Sequence, residues 1–258
     1  MQWWTLFQKE LIENMRNVKW IWVPLIMILI AIMDPLTNYY LPQIIEATGG
    51  MPEGAKIQLP DYQPSDVVMM SLGQFNTIGV LIIALISMGT IAGERKNGVS
   101  ELILVKPVSY LNYITAKWAS FVLLTLVSFS MGMLASWYYI NLLFGELSLV
   151  ALLHILFFYG LWLMLVVSLS IFYNTLFKTP GLVAFLTIST IVLMGAVTTV
   201  FSHILEWSPS RITNYIQKMI VTGNVPSDLA GAAIVTLSTI VLLIAASVVA
   251  FRKKELAS

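Results

Sequence analysis

The chain has 258 residues, of which 58% are hydrophobic and only 10% are charged. Because soluble domains carry charge on about a quarter of their residues, this composition excludes a water-soluble fold and predicts an integral membrane protein. The net charge of +1 gives no indication of nucleic-acid binding, and the absence of cysteine excludes disulfides, thiolate metal sites and a cysteine nucleophile.

The first 19 residues predict an amphipathic helix. Apolar side chains recur there every three or four residues, at Trp3, Phe7, Leu11, Met15 and Val18. The charged side chains fall mainly on the other side, at Lys9, Glu10, Glu13 and Arg16. Such a helix, residues 1–19, lies in the membrane interface with its apolar stripe towards lipid and its charges in water. The alternative is a soluble helix that packs on a partner protein.

Six apolar stretches follow, and each can cross a bilayer, which takes about 20 residues. They comprise residues 20–40, 67–92, 119–145, 149–172, 181–201 and 229–251. The sequence therefore predicts an all-α integral membrane protein whose six-span transmembrane domain covers residues 20–258. Asp34, near the far end of the first span, lies either at the outer interface or in a polar interior, because an ionised carboxylate facing lipid is costly.

The distribution of basic residues predicts the orientation. With the N-terminus inside, eleven of the 14 lysine and arginine residues fall in inner segments. The outer segments then contain only Lys56, Arg211 and Lys218. Because six spans return the chain to the same side, both termini are predicted in the cytoplasm of a cell-membrane protein. The outer segment 202–228 contains a weakly amphipathic stretch that we expect to dip into the membrane edge.

Several catalytic motifs are absent from the sequence. No Gly-Lys dipeptide occurs, so the chain has no Walker A loop and cannot bind ATP in the P-loop manner. The two histidines, His154 and His203, form no His-Glu-x-x-His motif, and no Gly-x-Ser-x-Gly elbow occurs. We therefore expect no catalytic residue, no cofactor, no metal site and no enzymatic activity in this chain.

A charged segment, residues 94–117, separates the second and third spans on the predicted cytoplasmic side. Gly98 allows a sharp turn of the backbone, and Pro107 stops a helix. Leu102 and Ile103 give the short helix an apolar side within a charged rim. These features predict a small helix outside the bilayer that fits a groove on a cytoplasmic partner. A solvated loop joining two spans is the alternative.

At these residues the chain resembles the ABC-2 family of ATP-binding-cassette transporter permeases. Members typically have Glu-Arg/Lys-x-x-Gly-Thr, then a leucine-rich turn, a Pro, a Ser or a near neighbour, and a Lys about ten residues on. The matching positions are Glu94, Arg95, Gly98, Leu102, Leu104, Pro107, Ser109 and Lys117. Val99 departs from this pattern, because the family usually has Thr there. The opening of the chain, residues 8–24, is similar to the amphipathic connecting helix that enters the family's first span.

The resemblance implies a division of labour between subunits. A separate cytoplasmic ABC ATPase, in two copies, would hydrolyse ATP, and the segment 94–117 would be the coupling helix that receives its motion. The residues expected to couple to the ATPase are Glu94, Arg95, Gly98, Glu101, Leu102, Ile103 and Pro107. A second six-span permease, identical or similar, would complete the pathway within the lipid bilayer, and the segment 202–228 would cap it.

The leading functional hypothesis is an exporter of an amphipathic or hydrophobic cargo, such as a peptide antibiotic, a drug or a lipid-linked compound. Polar groups expected to face its pathway are Gln74, Asn76, Thr77 and Asn141. The alternative is a non-transporting scaffold, sensor or immunity protein that holds a cytoplasmic regulatory partner. An ion-coupled secondary transporter is disfavoured, because such folds use intramembrane carboxylates or internal repeats, and the sequence offers Asp34 and no evident repeat.

Overall fold

A computed structural model describes residues 2–47, 62–98 and 109–255 of the chain, and all regular structure in these ranges is helical. The α-helices are α1 (Gln2–Arg16), α2 (Lys19–Ala47), α3 (Pro64–Gln74), α4 (Val80–Ser87), α5 (Ala92–Lys96), α6 (Tyr110–Leu143), α7 (Leu149–Leu176), α8 (Pro180–Val200), α9 (Ile212–Thr222) and α10 (Ser227–Glu255). A π-helical turn, Phe75–Gly79, joins α3 to α4, and a 3₁₀ turn, Pro209–Arg211, precedes α9.

Within the described ranges, six helical segments are long and apolar enough to cross a membrane, which confirms the number of spans expected from the sequence. These segments are Lys19–Ile45, Pro64–Lys96, Tyr110–Leu143, Leu149–Leu176, Pro180–Val200 and Ser227–Lys254. Each coincides with one of the six predicted apolar stretches. The structure extends most of them by several residues at one or both ends, because the flanking polar residues continue the helix.

The third span begins well before the apolar stretch that predicted it. Ser109 is the N-cap of α6, and its hydroxyl accepts a hydrogen bond from the backbone N–H of Asn112 at 3.2 Å. The helix then runs without a break from Tyr110 into the span, so Lys117 lies inside α6. The segment predicted from 94 to 117 is therefore divided: its first residues belong to α5 and its last eight to α6.

The second span is interrupted twice, where the sequence predicted one continuous helix. The π-helical turn is the first interruption, and the turn at residues 88–91 between α4 and α5 is the second. The side chain of Asn174 from α7 fills the second break. Its amide oxygen accepts from the backbone N–H groups of Ile91 and Ala92 at 3.1 and 3.0 Å, and its amide nitrogen donates to the Ser87 carbonyl at 3.0 Å. One buried side chain thus supplies hydrogen bonds that the helix backbone lacks there.

The bundle is built around α7, which packs against α4, α6, α8 and α10. Three fully buried rings, Phe75, Phe129 and Tyr159, form an aromatic contact between the second, third and fourth spans. Gly132 brings α2 close to this centre, because a Cβ there would lie 2.7 Å from the Met27 carbonyl oxygen. Small residues allow this kind of close approach between membrane helices.

Candidate functional site

Four charged side chains from three helices meet at one end of the bundle. We call Lys9 and Glu10 of α1, Glu94 of α5 and Lys117 of α6 the charged cluster. The Lys117 ammonium lies 2.8 Å from Glu10 Oε1 and 2.8 Å from Glu94 Oε1. The Lys9 ammonium lies 3.0 Å from the same two oxygens. Each lysine ammonium contacts both carboxylates, so every charge in the cluster has two neighbours of opposite sign.

Most of the charged cluster is inaccessible to water. The side chains of Lys117, Glu10 and Glu94 are only 2%, 6% and 12% exposed. The second oxygen of Glu94 accepts a 2.5 Å hydrogen bond from the Tyr113 hydroxyl, so both of its carboxylate oxygens are engaged. A buried ion pair of this kind adds little net stability, but removing one partner is strongly destabilising because an uncompensated charge remains. The cluster therefore fixes the relative positions of α1, α5 and α6.

Lys9 lies at the edge of the charged cluster, where it also contacts Glu13 at 3.1 Å. Partial burial by itself lowers the Lys9 pKa, but the neighbouring Glu10 and Glu94 carboxylates raise it by more. The net pKa is above the usual value for lysine, so the ammonium remains charged at physiological pH.

The acids at this end could in principle bind a metal ion, since carboxylate oxygens of Glu10, Glu13 and Glu94 all lie within 4.8 Å of one another. Lys9, however, already contacts all three carboxylates, and Lys117 contacts two of them. The arrangement therefore favours a charge-compensated ion-pair network over a metal site.

Arg95 attaches α5 to the other side of the bundle. Its guanidinium donates to the Thr175 carbonyl at the end of α7 at 3.0 Å. It also lies 5.6 Å from the ring centroid of Phe251 in α10, within cation–π range. Adjacent side chains of α5 thus point in opposite directions. Glu94 contacts α1 and α6, and Arg95 contacts α7 and α10. The short helix is held between four others.

The first described part of the predicted coupling segment ends at Gly98, directly after these contacts, and the description resumes at Ser109. Gly98 has φ of +72°, in the left-handed region that favours glycine, as expected for a sharp turn. The remaining residues predicted to couple to a partner lie outside the described residues: Glu101, Leu102, Ile103 and Pro107. Residues 99–108 are therefore attached, on the N-terminal side, to a helix anchored by Glu94 and Arg95.

Sequence reasoning placed one member of the charged cluster wrongly. Glu10 was predicted on the water side of an interfacial helix, but it is 4% exposed. The buried face of α1 consists of Phe7, Glu10 and Asn14 and packs along α6. Trp3 donates to Thr115 at 3.0 Å on the same side. Periodicity shows which residues share a face, but it does not show that an acid on that face meets a lysine 107 residues later.

Two further residues of this site had weak signals in the sequence. Lys117 is a base within the first turns of an apolar helix, which requires a buried acid or access to water. Asn174 falls in the short inner turn that the sequence predicts at residues 173–180, and nothing local to it indicates a partner in the second span. The structure gives Asn174 four hydrogen bonds, including one to its own helix at Ser170.

Three of the four predicted pathway residues cluster at the π-helical turn. Gln74 donates to the Asp34 carboxylate at 3.3 Å, which gives that acid a partner inside the bundle. Thr77 donates to the Gly73 carbonyl of its own helix at 3.1 Å and remains exposed. Asn76 is exposed and lines a cavity beside α8 and α9.

The fourth predicted pathway residue, Asn141, lies apart from the other three. Its amide oxygen accepts from the Leu147 backbone at 2.9 Å, and its amide nitrogen donates to the Trp137 carbonyl at 2.8 Å. These contacts hold the turn between α6 and α7, so the geometry assigns Asn141 a structural role in that turn.

The chain is similar to known proteins over nearly its whole length. A family model described as "ABC-2 family transporter protein" matches residues 4–256. The "Uncharacterized transmembrane protein YxlG" of Bacillus subtilis (strain 168) is 31% identical over 250 residues, which is 97% of this chain and 97% of the relative.

Proposed function

Because the chain belongs to the ABC-2 transporter family, we propose that it is the membrane-spanning permease subunit of an ABC exporter. A separate cytoplasmic ATPase, in two copies, drives it. The cargo is amphipathic or hydrophobic, such as a peptide antibiotic, a drug or a lipid-linked compound. The permease binds and moves the cargo, and hydrolysis takes place in the partner.

The charged cluster is the observation that carries this proposal. It anchors α5, which ends two residues before the segment 99–108, to α1 and α6, and Arg95 anchors the same helix to α7 and α10. A partner that displaces residues 99–108 therefore moves the ends of several helices together. Glu101, Leu102, Ile103 and Pro107 are the proposed docking residues. Glu94 and Arg95 transmit the motion from within the bundle, since both are largely buried.

The two interruptions of the second span are points at which the span can bend when α5 moves. The short helix α4 lies between the π-helical turn and the turn at residues 88–91. Hinges are commonly formed by a few residues at the ends of helices, and π-helical turns occur frequently at functional sites. We propose that α5 follows the ATPase, while the π-helical turn, which carries Asn76 and Thr77, faces the pathway.

A second six-span permease, identical or similar, completes the proposed pathway. Asn76 and Thr77 are polar side chains exposed near the middle of the second span. Polar groups at that depth are costly in contact with lipid and usually face another helix or water. A partner permease that covers this face would provide both a neighbouring helix and a water-filled pathway between the two subunits.

The proposed orientation places both termini in the cytoplasm of the cell membrane. Lys9, Arg95 and Lys117 lie at one end of the bundle, together with the basic end of α10, and basic residues favour the cytoplasmic side. Trp4, Ile12 and Met15 of α1 remain more than half exposed. Their exposure supports a position of α1 along the cytoplasmic membrane surface.

Single cysteines test this orientation, since the chain contains no other cysteine. We expect Lys56→Cys in intact cells to react with a membrane-impermeant maleimide. Lys106→Cys is expected to react only after the membrane is permeabilised. The reverse labelling pattern would contradict an N-in, C-in topology.

Copurification is the test of the permease proposal. Extraction from the native membrane in mild detergent is expected to recover an ATPase with a Walker A motif at about one copy per permease. The complex is expected to show vanadate-sensitive hydrolysis. Recovery of a stoichiometric partner without a nucleotide-binding motif would refute the proposal and favour the scaffold or sensor hypothesis.

A further inference from the structure

A polar cavity of about 370 Å³ lies between the π-helical turn, α7, α8 and α9. It is located towards the end of the bundle away from the charged cluster, because α8 reaches it near its C-terminus. Polar residues in its lining include Asn76, Trp162, Thr199, Ser202, Arg211 and Asn214. Polar side chains that are shielded from water are costly unless another polar group or a water molecule pairs with them.

Trp162 indicates what such a group must offer. Trp162 is among the residues that line the cavity and is 3% exposed, and its buried indole N–H has no hydrogen-bond partner among the described residues. Tryptophan can only donate a hydrogen bond. A buried donor without a partner costs free energy, and a ligand oxygen that accepts from it would recover this cost.

The charge of the cavity points to the same kind of ligand. Arg211 donates through one nitrogen to the Ser202 carbonyl at 2.8 Å and stacks 5.4 Å from the Tyr215 ring centroid. The guanidinium has further N–H groups, since arginine carries five donors. No aspartate or glutamate is among the residues that line the cavity. A positive charge, an indole donor and amide and hydroxyl groups together favour an anion that accepts several hydrogen bonds.

An apolar groove adjoins this cavity. Thr198, whose hydroxyl pairs with Ser208 at 2.8 Å, lines both spaces. The groove has a volume of about 520 Å³, and its apolar lining includes Met194, Val197, Leu205 and Trp207. One acid, Glu206, also lines the groove, so the anionic group is assigned to the polar cavity that Arg211 lines. A polar cavity beside an apolar groove matches a molecule with a head group and an aliphatic part.

We propose that these two adjoining spaces bind an anionic amphiphile, with its carboxylate or phosphate in the polar cavity and its aliphatic part in the groove. Arg211 and Trp162 contact the head group, and Asn76 lies at its edge. This inference rests on the proposed export of an amphipathic cargo and narrows the cargo to one with an anionic head group.

Native mass spectrometry of the purified permease in dodecyl maltoside tests the site with dodecyl phosphate as the probe. We expect saturable binding of one dodecyl phosphate per chain. Arg211→Gln is expected to weaken binding about tenfold by removing the charge, and Trp162→Phe about fivefold by removing the N–H donor. Lys218→Gln is the matched control, because it removes an exposed cation from α9, the helix that directly follows Arg211, at a position outside the cavity.

A third variant and a competitor decide between the remaining outcomes. Asn76→Asp places a negative charge beside the polar cavity and is expected to abolish binding of dodecyl phosphate, and its elution as a monodisperse protein in detergent checks that it is folded. Unchanged binding in Arg211→Gln and Asn76→Asp would refute the site. Displacement of the probe by equal concentrations of inorganic phosphate would refute the amphiphile and leave a free-anion site. Since no ATPase is present in this assay, its result is independent of the copurification test.

Discussion

Lys117→Met is expected to lower the free energy of unfolding by about 3–5 kcal/mol, the range typical of breaking a buried ion pair. Methionine retains most of the length of lysine but loses the ammonium that contacts Glu10 and Glu94 at 2.8 Å. The two carboxylates would then share Lys9, whose side chain is 42% exposed. The same substitution should also weaken the link between α6 and α5, which then depends on the Tyr113–Glu94 hydrogen bond, so the purified ATPase complex is expected to lose part of its transport-linked hydrolysis.

Thermal unfolding in detergent measures the first effect, and Lys178→Met is the control. Lys178 is an exposed lysine in the turn between α7 and α8, so its substitution should leave the melting temperature nearly unchanged. Combining Lys117→Met with Glu94→Gln removes one positive and one negative charge. The double variant should therefore be less destabilised than the sum of the two single variants. A melting temperature for Lys117→Met equal to that of the control would contradict the role given to the charged cluster.

Asn174→Ala is expected to open the second break in the second span. Asn174 is fully buried, and its loss leaves the N–H groups of Ile91 and Ala92 without their partner, while the Ser87 carbonyl keeps its hydrogen bond from the Thr90 hydroxyl. Each buried polar group left unpaired costs about 1–3 kcal/mol. We expect a lower melting temperature and faster hydrogen exchange at residues 91 and 92.

Hydrogen exchange followed by mass spectrometry locates this effect. The control is Asn224→Ala, which removes an exposed amide whose contact with the Thr222 carbonyl is 3.5 Å long. Exchange in the peptide around residue 91 should rise in Asn174→Ala and stay at the wild-type level in Asn224→Ala. If that peptide exchanged no faster in Asn174→Ala than in the wild type, other contacts would be shown to stabilise the turn at residues 88–91.

The six spans were predictable because the apolar runs that form them are local and long. The partners of the charged residues were not, since hydropathy treats every charge as a water-facing group. Glu10 fits the polar side of an amphipathic helix, yet it is buried because Lys117 lies opposite it. The resemblance drew attention to Glu94 and Lys117 as separate positions, and only the fold shows that they form a contact.

Helix interruptions were equally beyond sequence reasoning. The residues around the π-helical turn and the turn at residues 88–91 contain no proline, so periodicity predicts an unbroken span. The second break is stabilised from outside by Asn174, which is 82 residues away from Ala92 in the chain. A local pattern cannot contain that information. The start of α6 was within reach, because Ser109 is a good N-cap residue two positions after Pro107.

The charged cluster also constrains how the chain is made. The ribosome synthesises α1, α2 and the second span before residue 117. Glu10 and Glu94 are therefore made before the buried ammonium of Lys117 that contacts both of them. Domains of large proteins generally fold in the order of synthesis, but the charged cluster cannot form until the third span has been made. In a nascent chain truncated before Lys117, Glu10 and Glu94 would share only the ammonium of Lys9. Completion of the charged cluster therefore depends on synthesis of the third span, which supplies Lys117.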